Sequence, residues 1–458
     1  MTDARDDGGS DRSAQLGQEG VLRLLLRFSA PAIVGRMAQA MYNLIDRLFI
    51  GWALGGDGIA GIAVAFPLML VMLSFGMLIG FGATSQISIR LGQRRKADAE
   101  RILGNAATML VVCSLAITAL GLLFLDPMLN WVGASPTVLP LARDYLHVIV
   151  LGTVFQMVGF GLNAMIRGEG NPRVAMLSML ISVALNAILA PIFVFGFHGG
   201  MRGAAWATVA SQAVSAVWVV AYFLRGKSVL RIRWRNLRPS WPVCAGICAI
   251  GAPPFAMQLT ASLQQSLLNR QLEIYGGDSA VAAMGIIYAL LMLVAMPIIG
   301  LNQGAQPIIG YNYGARRYDR VRKTLLNAIL IATTLTVLGF SMAMLFPAPL
   351  IRLFAPHDGE LVDVGARAIR IAACMFPIVG FQIVSSAYFQ AVGKPKEALF
   401  LSLSRQLLVL VPALILLPRL FGLQGVWAAM PTADLASCVL TGLCLAPELR
   451  HLGQGPGA

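Results

Sequence analysis

The polar residues that could best exchange protons or bind ions lie in the first long apolar stretch of the chain, residues 24–50. At about 100° per residue, its polar side chains fall within an arc of roughly 140° on one helix face. They are Arg36, Gln39, Tyr42, Asn43, Asp46 and Arg47. A polar stripe on an otherwise apolar helix predicts a face that points away from lipid.

Asp46 is the acidic residue of this stripe and the one with the widest range of possible chemistry. Burial favours the neutral carboxyl, whereas Arg36 or Arg47 would favour the carboxylate. A carboxyl balanced between these effects can exchange a proton or hold a cation. The alternative is that Asp46 pairs with a neighbouring arginine and holds two helices together.

The matching stretch in the second half, residues 243–272, has an uncharged stripe. Gln258, Ser262, Gln265 and Asn269 fall within about 60° on the same helical wheel, with no acid among them. We therefore expect a charge-carrying step in the first half only. The uncharged stripe would contact a substrate or simply pack.

Asn186 and Thr208 lie in the fifth and sixth apolar stretches. They could complete a polar pocket with Asp46, or each could bond a neighbouring backbone carbonyl. Both interpretations stay open.

Four further polar residues lie in the second half at membrane depth. Arg405 and Asp434 are predicted to pair with each other in a structural role, although Arg405 could instead lie near a membrane interface. Gln303 and Gln306 lie beside Gly304, where they would line a break in the helix backbone.

Composition indicates that these segments cross a membrane. Of 458 residues, 57% are hydrophobic and 12% are charged, about half the charged fraction of roughly 25% in soluble proteins. A span needs about 20 apolar residues as helix. The sequence predicts an all-α membrane protein with twelve transmembrane helices, near 24–50, 59–88, 102–125, 138–165, 173–197, 203–224, 243–272, 279–309, 323–347, 365–391, 397–418 and 423–446.

The positive charges behind the net charge of +14 are distributed according to the membrane topology of these spans, and this distribution argues against a nucleic-acid-binding surface. Arginine and lysine cluster in every second loop, around residues 94–101, 225–238 and 316–323. The opposite loops carry Asp57, Asp126, Asp278, Asp358 and Glu360. By the positive-inside rule, both termini are predicted to be cytoplasmic.

The second half of the chain repeats the first at a constant offset. One and the same shift maps Ala30-Pro31 onto Ala252-Pro253, Gly82-Ala83 onto Gly304-Ala305, and Arg94-Arg95 onto Arg316-Arg317. We call this shift the repeat offset. Six is an even number of spans, so the two halves must be parallel repeats about an axis along the membrane normal. A cleft between two such lobes is the natural place for a substrate.

The repeat also predicts the domain boundaries. A disordered cytoplasmic tail covers residues 1–20, and the N-terminal six-helix lobe covers 21–225. A cytoplasmic linker covers 226–240 and lets the lobes rock. The C-terminal lobe covers 241–448, followed by a cytoplasmic tail at 449–458.

Catalysis has no support in the sequence. The nucleotide-binding pattern G-x-x-x-x-G-K-[ST] is missing, so ATP would not drive transport within this chain. His147 and His198 are isolated, without zinc-ligand spacing. We expect no enzyme activity and no cofactor.

An ordered set of motifs resembles the bacterial multidrug efflux branch of the multidrug and toxic compound extrusion (MATE) transporters, and the expected location is the bacterial cytoplasmic (inner) membrane. The stretch 40–51 (AMYNLIDRLFIG) resembles the first-span motif of that family. Further matches follow in order at 65–67 (AFP), 80–85 (GFGATS), 167–173 (RGEGNPR), 389–395 (FQAVGKP) and 404–406 (SRQ). Together they extend from about residue 22 to 446.

This resemblance implies a V-shaped pair of six-helix bundles that export cationic or amphipathic drugs in exchange for protons or sodium ions. Asp46 matches the coupling acid of the first span. Asn186 and Thr208 match residues that join it in some members. Ala190 stands where those members have a second acid, and Arg47 stands where a threonine is common.

These departures favour proton coupling over sodium coupling, because one carboxylate beside an arginine replaces a cation's water shell poorly. The expected partners are a small cationic or amphipathic molecule and the lipid bilayer, with the protein acting as a monomer. The alternative function is a flippase for a lipid-linked precursor. That alternative predicts a strongly cationic cavity, to which Arg36, Arg47 and Arg405 would contribute.

Overall fold

A computed structural model describes residues 15–132, 136–226, 228–354 and 358–453. Within its helices, only the backbone is described at 42–48, 51, 56–57, 59, 131, 262 and 278. The predicted tail at 449–458 is therefore described as far as residue 453, and the tail at 1–20 from residue 15 onward.

The first half of the described chain is helical throughout its spans. Its helices are α1 (Val21–Gly92), α2 (Lys96–Leu123), α3 (Leu125–Val132), α4 (Leu139–Leu151), α5 (Thr153–Gly168), α6 (Pro172–Pro191) and α7 (Gly200–Leu224). A wider π turn at Ile192–Gly196 extends α6, and a short 3₁₀ turn at Trp234–Leu237 lies in the linker.

The second half follows the same plan. Its helices are α8 (Trp241–Gly314), α9 (Tyr318–Leu345), α10 (Pro347–Arg352), α11 (Gly359–Ala372), α12 (Phe376–Ala391), α13 (Pro395–Leu403) and α14 (Val411–Gly453). A π turn at Ser404–Leu410 joins α13 to α14.

Three glycines divide the longest helices into separate spans. Gly55, Gly277 and Gly422 have φ of 64°, 62° and 57°, in the left-handed region that glycine adopts at little cost. Gly55 and Gly277 are related by the repeat offset, so the two halves turn at equivalent points. By length and hydropathy, eight described helical segments can cross a membrane, or ten if each of two bent helix pairs forms one span. Dividing the last segment at Gly422 and adding the part of α1 before Gly55 gives twelve, as predicted.

The fourth and tenth spans are bent, which the sequence did not indicate. Their two parts meet at 53° between α4 and α5 and at 51° between α11 and α12. The breaks lie at Gly152 and around Cys374, which are again related by the repeat offset. A Cβ atom at Gly152 would lie 2.3 Å from Val209 Cγ2, so this bend depends on close packing against α7.

Backbones of the two halves touch at one end of the molecule. A Cβ atom at Gly92 would lie 2.0 Å from the Tyr311 carbonyl oxygen, and one at Gly314 would lie 2.1 Å from the Ile89 carbonyl oxygen. These two contacts exchange under the repeat offset, so they are related by the pseudo-two-fold axis. We call this end, with residues 93–95, 228–238 and 315–317, the basic face.

Close contacts between the halves continue inward from the basic face. A Cβ atom at Gly82 would lie 2.1 Å from the Ile247 carbonyl oxygen, and one at Gly304 would lie 2.6 Å from the Ser29 backbone nitrogen. α8 is helical through Gly304, so the predicted backbone break there is wrong. Because Gly304 has no side chain, the α1 backbone can approach α8 closely at this point.

Residues 15–19, inside the segment predicted as a tail, contact the second half. Leu16 is fully buried in a core formed with α8, α9, α12 and α14. Asn312 Nδ2 donates to the Leu16 carbonyl at 2.9 Å, and Arg317 Nη1 donates to the Gly17 carbonyl at 2.6 Å. This short segment therefore attaches the start of the chain to the C-terminal lobe.

Candidate functional site

Four residues of the predicted first-span stripe lie outside the described side chains. Tyr42, Asn43, Asp46 and Arg47 belong to α1 by their backbone, and nothing further is assigned to their side chains. Gln39, the next polar residue toward the start of α1, is half-buried.

Asn186 and Thr208 lie together between α6 and α7. Asn186 Nδ2 is 3.4 Å from Thr208 Oγ1, and both residues are almost completely buried. Asn186 Oδ1 accepts no hydrogen bond from any described residue. A buried amide oxygen without a donor is costly, so this oxygen is available to a proton donor or a cation. Ala190, one helical turn further along, is also fully buried.

Arg36 bonds across the two halves. With the Gln303 amide oriented so that its oxygen faces the guanidinium, that oxygen accepts hydrogen bonds from Arg36 Nε at 2.8 Å and from Arg36 Nη2. Gln306 Nε2 donates to Ser85 Oγ at 2.7 Å, also between the halves. These two glutamines therefore join the lobes, in addition to lining the space between them.

Arg405 and Asp434 are in contact. Arg405 Nε and Nη2 lie 2.8 Å and 2.7 Å from Asp434 Oδ1, and the Asp434 side chain is buried. Arg405 belongs to the π turn between α13 and α14, where the wider turn directs a side chain out of the regular helical repeat.

A cavity of about 200 Å³ lies between the halves, bounded mostly by the C-terminal lobe. Among its described lining residues, Arg36 and Arg405 are the ionisable ones and none is a carboxylate. The rest of its polar lining is mainly amides. These belong to Asn302, Gln303, Gln306, Gln382, Gln390 and Gln406.

Sequence reasoning missed part of this lining. Gln382, Ser386 and Gln390 recur every four residues along α12, so their shared face was a signal that could have found them. Gln265 and Asn269 instead bond each other at 2.9 Å on an exposed surface of α8. Among the described residues, Gln39 and Gln258 are also not part of the cavity lining.

Each half has one buried glutamate that accepts hydrogen bonds at its basic-face end, and the sequence analysis did not single out either of them. Glu169 accepts hydrogen bonds from Tyr222 Oη and Ser228 Oγ. Glu448 accepts from Tyr388 Oη at 3.0 Å and from Lys394 Nζ at 2.6 Å. In the described part of the chain, no group of three or more His, Cys, Asp or Glu residues could hold a metal ion.

A family model described as MatE matches the chain twice, at residues 31–192 and 253–415. This chain belongs to the MatE family. The starting points of the two matches are related by the repeat offset, which the motifs and the glycine turns also follow. A member of this family is a membrane transporter, and the broader expectation of a multidrug efflux transporter fits that membership.

Relatives match this MatE protein over almost their whole length. The multidrug export protein MepA of Staphylococcus haemolyticus is 26% identical over 434 residues, covering 95% of each chain. The protein of the same name from Staphylococcus aureus is 27% identical over 431 residues, covering 94% of each.

Solved structures of transporters share the fold. The MATE multidrug transporter DinF-BH, solved in complex with a ligand, is 40% identical, with a TM-score of 0.89 over 95% of this chain and 98% of that one. An outward-facing multidrug resistance MATE transporter has a TM-score of 0.90 at 26% identity, over 96% and 98% of the chains. A MOP superfamily transporter from Pyrococcus furiosus, for which reverse polarity of the binding pocket suggests a different function, has a TM-score of 0.90 at 25% identity, over 96% and 99%.

Proposed function

We propose that this MatE protein is a secondary antiporter that exports cationic or amphipathic small molecules across the bacterial cytoplasmic membrane by alternating access. The observation that carries the proposal is the cavity between two repeat-related lobes, whose described backbones make close contacts from the basic face inward to Leu78 and Gly251. The names of the relatives, multidrug export proteins, support the substrate class. The proposal includes no cofactor and no enzymatic step, and it takes the monomer as the working unit.

The orientation in this proposal places the basic face in the cytoplasm. The arginines of residues 94–95, 231–238 and 316–317 all lie on that face, as the positive-inside rule requires. Contact between the lobes there would close the cytoplasmic side and leave the cavity accessible from outside. The likeness to an outward-facing MATE transporter is consistent with this state.

Ion coupling is assigned to Asp46 together with Asn186 and Thr208. Asn186 Oδ1 is buried without a donor from the described residues. This is expected of an oxygen that binds a proton donor or a cation in only part of the transport cycle. We favour protons over sodium ions because Ala190 contributes no oxygen and Arg47 adds positive charge beside Asp46. A protonated carboxyl could donate to Asn186 Oδ1, whereas a sodium ion needs several more oxygen ligands.

The test is efflux of a fluorescent organic cation from vesicles under separately imposed proton and sodium gradients. We expect proton-driven efflux by the wild type and its loss, by at least about 100-fold, in Asp46→Asn, in line with the loss of an essential proton-transfer group. Asp144→Asn is the matched control, because this acid pairs with Arg202 at an exposed site. Normal pumping by Asp46→Asn under either gradient would show that the coupling assignment is wrong.

One observation favours the second candidate, a flippase for a lipid-linked precursor. The described cavity lining has two arginines and no carboxylate; Arg405 pairs with Asp434 behind the lining, so Arg36 carries the positive polarity that suits a phosphate headgroup better than an organic cation. Reverse pocket polarity is also noted for the Pyrococcus furiosus neighbour. If vesicles move no organic cation but translocate a phosphate-bearing lipid, the flippase replaces the drug exporter.

A further inference from the structure

A second cleft, of about 620 Å³, opens on the basic face where the loops 93–95 and 315–317 meet. Arg94 and Arg95 from the first half line it, together with Arg316 and Arg317 from the second half. None of its described lining residues is a carboxylate. Because each half supplies one pair, the four arginines line a common cleft only when the basic-face ends of the two halves touch.

Among the described residues, two of these arginines have partners and two do not. Arg95 Nε lies 2.6 Å from Asp98 Oδ2, and Arg317 Nη1 donates to the Gly17 carbonyl oxygen at 2.6 Å. Arg94 and Arg316 make no side-chain hydrogen bond or ion pair with any described residue. One guanidinium from each half is therefore available to an external anion.

The backbone at these two positions points to a role for the side chains. Arg94 and Arg316 have φ of 61° and 57°, in the left-handed region that glycine adopts with less strain. They are related by the repeat offset, so both repeats place an arginine where a glycine would form the turn more easily. Charge in these loops also sets membrane orientation, but orientation needs neither a shared cleft nor this backbone conformation.

Phosphate is the ligand that this arrangement fits. The planar guanidinium donates two parallel hydrogen bonds to two oxygens of one phosphate, and a phosphate between Arg94 and Arg316 would neutralise positive charge that both halves bring to the cleft. A ligand that contacts both halves binds the touching state more tightly than the separated one, and so increases its population.

We propose that this four-arginine cleft binds a phosphate group, carried by a soluble phosphate compound or by a lipid headgroup, and that binding favours the conformation in which the basic-face ends touch. The site lies at the opposite end of the helices from Asp46 and does not depend on which molecule the protein exports.

The test measures the full-length protein in nanodiscs by melting temperature and by the distance between spin labels at Ala97 and Lys323. Both are exposed, in the first turns of the helices α2 and α9 that follow the basic-face loops. Labels are introduced as unnatural amino acids, because the chain has six cysteines. Pyrophosphate in phosphatidylcholine discs probes a soluble ligand, and phosphatidylglycerol discs without pyrophosphate probe a headgroup. We expect at least one of these two probes to raise the melting temperature and to enlarge the short-distance population.

Two double variants decide whether the cleft is responsible. Arg94→Gln with Arg316→Gln is expected to weaken the response by at least about tenfold in ligand concentration. Arg231→Gln with Arg238→Gln removes the same charge from exposed linker positions and should respond as the wild type does. Equal responses from the two double variants, or no response of the wild type to either probe, overturn the proposal.

A third variant excludes occupation by the chain itself. Residues 2–14 contain Asp3, Asp6, Asp7 and Asp11, whose carboxylates could compete for the arginines. If only a chain without residues 2–14 responds to pyrophosphate or phosphatidylglycerol, the cleft is not a phosphate site in the full-length protein and the proposal fails.

Discussion

At the scale of single residues, one buried charge within the spans of the second half is neutralised by its neighbour. Arg405 and Asp434 form a close ion pair, and Asp434 is the more deeply buried partner. Arg405 also borders the cavity, so water can solvate its guanidinium group. Leaving Asp434 without its partner should therefore cost more free energy than leaving Arg405 without its partner.

We predict that Arg405→Gln lowers the free energy of unfolding by about 3 kcal/mol, because it leaves a buried carboxylate without its cation. Asp434→Asn should cost less, and the double variant Arg405→Gln with Asp434→Asn should recover most of the stability. Unfolding of the detergent-solubilised protein measures all three. Equal losses from the two single variants would contradict this account of the pair.

The sequence predicted the residue types of the site better than their partners. The pairing of Arg405 with Asp434 follows from two isolated charges in neighbouring apolar spans. The bond between Arg36 and Gln303 could not be predicted, because it joins helices of different halves and depends on how the halves pack. Likewise, the pattern on α8 favoured Gln265 and Asn269, whereas packing places the polar face of α12 at the cavity.

At the scale of elements, each half fastens its basic-face end with one buried glutamate. Glu169 holds Tyr222 and Ser228 in the first half, and Glu448 holds Tyr388 and Lys394 in the second. Burial alone lowers the pKa of Lys394, but the hydrogen bond and the charge of Glu448 outweigh it and raise that pKa above its usual value. The ammonium therefore remains charged at neutral pH.

We predict that Lys394→Met lowers the free energy of unfolding by about 1 kcal/mol, less than for Arg405→Gln because Tyr388 Oη still donates to the Glu448 carboxylate when the ammonium is removed. Lys394→Arg should retain most of the stability, since it keeps the charge. Lys396→Met, at an exposed neighbouring position, is the control. The melting temperatures of the three variants test this, and a loss in Lys396→Met as large as in Lys394→Met would refute it.

At the scale of the whole molecule, the repeat determines where the lobes can touch. The twelve spans and the parallel halves followed from hydropathy and from the repeat offset. The bends at Gly152 and near Cys374 did not, because an apolar stretch has the same composition whether its helix is straight or broken. The reciprocal contacts at Gly92 and Gly314 also require the packed structure, since a glycine in sequence does not show what approaches it.

The central claim is that the basic face is a gate between two lobes that separate and rejoin. A methyl group at Gly92 or Gly314 would overlap a carbonyl oxygen of the other half, whereas one at Gly285 would meet nothing within 4 Å. Alanine at either of the first two positions should therefore disfavour contact between the lobes while leaving each lobe intact.

The most direct measurement is the distance between spin labels at Ala97 and Lys323 in nanodiscs, compared among the wild type, Gly92→Ala, Gly314→Ala and Gly285→Ala. We expect a predominantly short distance in the wild type and in Gly285→Ala. In Gly92→Ala and Gly314→Ala, a second and longer distance should become the major population, in protein that remains folded. An unchanged short distance in all four folded proteins would contradict the gate.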